Sequence, residues 1–247
     1  MAETKARPSK KDSANKLQPN NKVTRKKAKP NKASANRKTG AGKRKGSPNS
    51  FKRSELTEIR EQLPKTITLV GLMGAGKTCI GKLLAKSLKL NFVDADHEVE
   101  RAAGMTISEI FETHGEAAFR DGERRVIQRL LDGPVQILST GGGAFMDEQT
   151  RATMIEHSIV IWLKADLDVL VERTSRRNHR PLLRNGNHRE ILSDLMDKRY
   201  PVYSQAHVPV ESADGAPELT RDKALQALID YLQDETKKQQ TTPKEPS

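Results

Sequence analysis

"GLMGAGKT" (residues 71–78) follows a short β-branched run, "TITLV" (66–70), and leads into "KTCIGKLLAKSLKL" (77–90), whose apolar positions Ile80, Leu83, Leu84 and Leu88 recur at helical spacing. Gly71, Gly76, Lys77 and Thr78 have the spacing of a P-loop, in which glycines let backbone N–H groups turn inward around phosphate oxygens. A buried strand, a glycine-rich turn and a helix N-terminus in that order are what phosphate binding requires. The candidate nucleotide-binding set is therefore the turn Gly74, Ala75 and Gly76 with Lys77, Thr78 and Cys79 behind it. Lys77 would reach the β- and γ-phosphates of a nucleotide, and the Thr78 hydroxyl would serve Mg²⁺. The motif does not by itself separate kinases from GTPases, ATPases or motors. Guanine recognition commonly uses Asn-Lys-x-Asp after a strand, and "WLKADLD" (162–168) lacks the Asn.

Outward from the loop, strand and helix patterns alternate. A lead-in helix is predicted over 54–62, and strands at "LNFVDAD", "VQILSTGGG", "IVIWLKA" and "VPVES". Between them lie helical stretches, with "TISEIFETHG" and "EAAFRDGERRVIQRLL" read as two. A last helix is expected from about Glu218 to Gln233. Alternation of this kind implies an α/β domain with a parallel sheet covered on both faces and active groups at the carboxyl ends of the strands.

Charge divides the chain. Residues 1–50 hold 16 Lys/Arg against 2 Asp/Glu, a net of +14, and the remainder holds 28 against 30, a net of −2. The first 50 residues also lack aromatics, so they bury too little apolar surface to offset chain entropy. The expected organisation is a disordered basic extension over 1–53, one α/β domain over 54–236 and a polar tail over 237–247. A flexible +14 arm can associate weakly with polyanions. It has no aromatics for base stacking, so no specific nucleic-acid partner is expected. Its Lys/Asn/Pro/Gly content suits an amphipathic, Arg-rich transit peptide poorly. With no apolar run near the ~20 residues of a membrane span, the expectation is a cytoplasmic protein without membrane attachment. The one cysteine, Cys79, excludes an internal disulfide, and its place near the helix start reads as packing.

Beyond the loop, Asp94 and Asp96 stand two apart at a strand end, where both carboxylates can leave on one side of the sheet. One can serve Mg²⁺ through water and the other can orient or deprotonate an acceptor hydroxyl. The plainer alternative makes Asp96 a helix N-cap. "STGGG" (139–143) ends another strand with residues that let a ligand approach the backbone, or simply makes a tight turn. Arg120 and Arg199 fall on separate predicted helices and suit bidentate capture of a carboxylate. "RRNHRPLLRNGNHR" has the makeup of a mobile, basic lid that brings an Arg onto the transferring phosphate.

Taken in order, "GLMGAGKT", "DAD", "FR" followed by "E", "GGG", "RPLL" and "KRYPVY" resemble the shikimate kinase family across residues 65–235. The resemblance implies a P-loop kinase fold with a five-stranded parallel sheet in the order 2-3-1-4-5, flanked by helices and carrying a mobile lid. It also implies transfer of the ATP γ-phosphate to the 3-hydroxyl of shikimate, in aromatic amino-acid biosynthesis. Carried onto this chain, Asp96 resembles the hydroxyl-binding base and Asp94 the carboxylate near Mg²⁺. Arg120, Arg199 and the backbone of Gly142 resemble the binders of the substrate carboxylate, with Glu123 supporting the arginines. Arg180 of "RPLL" resembles the lid arginine and Arg173 the residue that stacks on adenine. "GKTC" departs from the commoner "GKST" but keeps the hydroxyl at Thr78, and the basic extension is no part of the family pattern. The domain is expected to stand as a monomer. Another small-molecule P-loop kinase, such as one acting on gluconate, is the nearest rival reading.

Overall fold

The β-branched and aliphatic runs of the sequence become the strands of one sheet. The computed structural model describes residues 51–176 and 187–241. Residues 1–50, residues 177–186 of the expected lid with Arg180, and residues 242–247 lie outside the described residues; of the expected extension 1–53, Phe51 instead packs against the core and Arg53 opens the first helix.

Helix α1 (Arg53–Gln62) leads into β1 (Thr66–Val70), α2 (Lys77–Leu88), β2 (Phe92–Asp94), α3 (Ala95–Ala103) and α4 (Ile107–Leu131). Then come β3 (Ile137–Ser139), a single 3₁₀ turn (Ala144–Met146), α5 (Glu148–His157), β4 (Ser158–Lys164) and α6 (Leu167–Ser175). The chain closes with α7 (His188–Tyr203), β5 (Val208–Glu211) and α8 (Pro217–Thr241). The strand order is β2-β3-β1-β4-β5, with every neighbouring pair parallel. Ile67 of β1 stands between Ile137 of β3 and Ile159 of β4, and all of β1 is buried. Burial on both faces is why β1 reads as a continuous apolar and β-branched run rather than an alternating one. From β1 the chain turns toward the β2 edge, whereas β4 leads to the β5 edge. Loops leaving the carboxyl ends of β1 and its neighbours thus open a crevice, the usual ligand site of such sheets.

The main core wraps the sheet. In α2 the inward stripe is Ile80, Leu84 and Leu88, each nearly inaccessible and contributing about 2 kcal/mol by burial. Leu83, expected on that stripe, is only partly buried. Gly81 lets α2 approach the sheet, because a Cβ there would fall 2.6 Å from the Phe92 ring. A second, small core of Val99, Ile110, Phe119 and Val126 joins α3 to α4. Thr106 and Glu109 cap α4 reciprocally, the Thr106 N–H donating to the Glu109 carboxylate at 2.7 Å. Gly115, at φ 78° and ψ 174°, interrupts α4, so the two helical stretches read from sequence meet at a single residue.

At the C-terminus the last helix runs to Thr241, eight residues past the expected Gln233. Pairs three apart, Asp234 with Lys237 and Glu235 with Lys238, support the extra turns, and no Pro intervenes before residue 243. Among the described residues no helix is long and apolar enough to cross a membrane.

Candidate active site

The phosphate loop is built by glycine conformations. Gly71 has φ +142°, and a Cβ on it would lie 2.6 Å from the Leu163 carbonyl of β4. Gly76 caps α2 at φ 97°, a left-handed value that side chains rarely adopt. Lys77 folds back over the loop, its Nζ donating to the Gly71 carbonyl at 2.8 Å and to that of Leu72 at 3.2 Å. Thr78 points the other way, its hydroxyl donating to Asp94 Oδ2 at 3.3 Å. Ala75, expected among the phosphate contacts, is turned inward. Its N–H donates to Leu72 O and its carbonyl accepts from the Ser212 hydroxyl at 2.8 Å. Cys79 is exposed at the cleft rather than packed, because Ile80 takes the buried side of that turn.

Opposite the loop, Asp94 ends β2 and occupies the cap position of α3, which leaves Asp96 in the first helical turn. The two carboxylates converge through this strand-to-helix turn and not through the pleat of a strand, as the spacing had suggested. Nor is Asp96 the N-cap. Burial, and then the charge of Asp94, pushes the Asp96 carboxyl above its ordinary range, while Lys77 and Arg120 pull the other way. A carboxylate raised in this manner is suited to accept a proton nearer neutral pH.

Three glycines bring the acceptor-side groups together. A Cβ on Gly141 would lie 2.7 Å from Asp96 Oδ1, one on Gly142 3.4 Å from Arg199 Nη1, and one on Gly143 2.7 Å from Arg120 Nη2. The missing side chains of "GGG" thus leave room for the site's own residues, a tighter requirement than open space for a ligand. Arg120 donates to the buried Glu123 at 2.6 Å, three residues on along α4. Burial pushes the Glu123 carboxyl up, and the Arg120 hydrogen bond partly offsets it. Burial also works against the Arg120 charge, yet Glu123 holds the guanidinium above its ordinary value. Arg199, on α7, donates to the Gly142 carbonyl at 2.8 Å.

The third wall combines Arg173, matched to the adenine-stacking residue in the sequence, with Ser212, which the sequence reading missed. Arg173 on α6 donates to Ser212 Oγ at 3.0 Å and to the Ala213 carbonyl at 2.6 Å, and approaches Gly74 O at 3.4 Å. Ser212, buried just past β5, therefore ties Arg173 to the phosphate loop. The available signal was "VESADGAP": a strand end followed by Gly and Pro at the active edge of the sheet.

One cavity of about 710 Å³ is lined by Lys77, Asp96, Arg120, Gly142, Arg173 and Arg199 together, along with Thr78, Cys79 and Asp94. That is room for two small ligands end to end, with phosphates at one end and an anion between two arginines at the other. The described residues contain no cluster of three or more His, Cys, Asp or Glu suited to a metal. Thr78 and Asp94 supply two facing oxygens, which fits Mg²⁺ completing its shell with substrate phosphates and water.

The shikimate kinase family model matches residues 73–233. The chain is 53% identical over 171 residues to a shikimate kinase of Paramagnetospirillum magneticum, spanning 69% of this chain and 88% of the relative. Against a shikimate kinase of Novosphingobium aromaticivorans the identity is 49% over 183 residues, with 72% and 95% covered. In structure it is similar to the shikimate kinase from Acinetobacter baumannii solved in complex with shikimate. That likeness has a TM-score of 0.66 and 39% identity over 70% of this chain and 97% of the other. A gluconokinase from Sinorhizobium meliloti 1021 shares the fold at 17% identity, with a TM-score of 0.51 over 73% of this chain and 99% of that one.

Proposed function

Because the chain belongs to the shikimate kinase family, we propose that its cleft passes the γ-phosphate of ATP to the 3-hydroxyl of shikimate, giving shikimate 3-phosphate and ADP. The observation that carries this assignment is the place of Asp96. It is a carboxylate raised by burial, set against the glycine triplet, in one cavity with the P-loop and with Arg120 and Arg199.

Shikimate is a small anionic triol. Arg120 and Arg199 hold its carboxylate, with the Gly142 backbone between them, while Asp96 accepts the proton of the attacking hydroxyl. Glu123 keeps Arg120 aimed into the cleft. ATP lies along the loop from Gly74 to Cys79, with Lys77 on the β- and γ-phosphates and Arg173 beside the base. Arg180 would meet the γ-phosphate. It lies outside the described residues, and its part rests on the family pattern alone. Thr78 and Asp94 would hold Mg²⁺, which would supply charge neutralisation on the phosphates. With both reactants fixed, the transfer is chiefly a matter of positioning and charge.

ADP release from Mg-ATP, measured with shikimate, with gluconate and with no acceptor, tests the assignment. Release that requires shikimate is expected. Release driven by gluconate, or indifferent to acceptor, would overturn the choice of substrate and leave the P-loop reading intact.

A further inference from the structure

Tyr203 has no accessible surface, yet its hydroxyl donates to the carbonyl of Gly142, a residue of the cleft wall. The same oxygen accepts from Arg199 Nη1 at 2.8 Å. Arg199 and Tyr203 are four residues apart on α7, one helical turn, so both project onto one face and converge on a single acceptor. A carbonyl oxygen has two lone pairs, and here both are engaged. The ring itself is fixed, with the ring centroids of Phe145, Trp162 and Tyr200 at 6.2, 6.1 and 6.4 Å.

That carbonyl belongs to the peptide joining Gly142 to Gly143. A trans peptide places the Gly143 N–H on the side away from the two donors. Gly143 in turn lies against Arg120, with no space between them for a Cβ. One peptide therefore stands between the two arginines, held at its oxygen by Arg199 and Tyr203 and touching Arg120 at its glycine.

We propose that Tyr203 is a positioning residue for the acid end of the acceptor. Its hydroxyl fixes the 142–143 peptide and, through the shared carbonyl, the spacing and aim of Arg199 relative to Arg120. The inference rests on the assignment of shikimate as acceptor. It predicts a role in recognising the carboxylate and none in the chemical step or in nucleotide binding. Burial pushes the phenol up to about 12, so the group stays a donor throughout the working pH range.

Tyr203→Phe keeps the ring and removes only the donor. Its KM for shikimate is expected to rise about tenfold, the scale of one net hydrogen bond, while the KM for ATP and kcat stay within twofold of the unaltered enzyme. Tyr200→Phe is the matched control. Its hydroxyl, in the same aromatic cluster, donates to the Ala165 carbonyl and accepts the Ala165 N–H at 3.3 Å, with no bond to the glycine triplet among the described residues. It is expected to lower Tm at least as much and to leave the shikimate KM unchanged.

In an Arg199→Lys background, adding Tyr203→Phe should cost less than a further twofold, since both act through one carbonyl. An unchanged shikimate KM in Tyr203→Phe, an equal rise in Tyr200→Phe, or full additivity with Arg199→Lys would each overturn the role. Shikimate-dependent turnover by the unaltered enzyme, run alongside, checks the substrate assignment separately. A wild-type KM for Tyr203→Phe beside that active control removes only the positioning role.

Discussion

The two ends of the cleft are built by different means. The phosphate end is one continuous stretch, residues 71–78, whose shape follows from glycine conformations and from the helix that begins at Lys77. The acceptor end is assembled from α3, α4, the glycine triplet and α7. Its key hydrogen bonds join residues 57 and 61 positions apart, Arg199 to Gly142 and Tyr203 to Gly142. A loop of the first kind takes most of its shape from the strand and helix on either side, with β4 and Ser212 bracing it from outside. A site of the second kind is correct only when the whole sheet has closed and each contributing helix has its register. Added bulk at a glycine of the first end is therefore expected to reach the fold, and added bulk at a glycine of the second to reach substrate recognition first.

Asp96→Asn should give the largest effect. Turnover is expected to fall by about 10²–10⁴-fold, the usual contribution of a general base, with ATP binding retained. The same substitution should stabilise the protein. A buried acid whose folded value is raised binds its proton more tightly folded than unfolded. Its stabilising contribution is thus full below 3.8 and is lost as pH rises through the folded value. At neutral pH the charged Asp96 costs stability, and removing the charge is expected to raise Tm by roughly one to three degrees. A lower Tm with turnover intact would show that Asp96 serves structure instead. For the same reason, the acid limb of kcat/KM is expected above 3.8.

Two glycine substitutions set the ends directly against each other. Gly71→Ala drives a Cβ to 2.6 Å from backbone of β4, at a φ that side chains rarely adopt. It should cost about 3 kcal/mol, seen as a Tm lower by roughly 6–12 °C. Gly143→Ala meets only the end of the Arg120 side chain. Its Tm should stay within about two degrees while the shikimate KM rises roughly tenfold or more and the ATP KM holds. Equal loss of stability in both would erase the distinction between the ends.

Smaller effects sharpen it. Ser212→Ala, which removes the hydroxyl that links Arg173 to the Ala75 carbonyl of the loop, should raise the KM for ATP by about fivefold and leave that for shikimate alone. His207 provides a stability probe remote from either end. Its Nδ1 accepts the Val160 N–H at 3.0 Å, and burial holds its value below 6.5. A histidine kept neutral in the fold contributes stability that is complete above 6.5 and is lost as pH falls through the folded value. His207→Gln should flatten that part of a plot of Tm against pH. Removing residues 1–50 should have the least effect, with both KM values and kcat expected within about twofold; a larger change would bring the basic extension into the catalytic account.

Local chemistry was legible in the chain itself. Apolar β-branched runs gave the five strands, the spacing of Gly71, Gly76 and Lys77 gave the phosphate loop, and a hydroxyl at Thr78 followed from the same motif. Alternation of strands with helices implied a parallel sheet with its active edge at the carboxyl ends. Motif order added the strand order and the family. These features depend on backbone preferences and on neighbours a few residues away, which any short window of sequence contains.

Tertiary structure decided what those windows could not contain. It placed Asp96 inside a helical turn, exposed Cys79, turned Ala75 inward and showed that each glycine of the triplet makes room for a different charged side chain. It joined Ser212 to Ala75 across 137 positions and Tyr203 to Gly142 across 61. Each of these depends on which atoms share a volume after the sheet closes. A serine or tyrosine has the same local propensities whether it faces solvent or holds a carbonyl, so only the closed fold distinguishes the two.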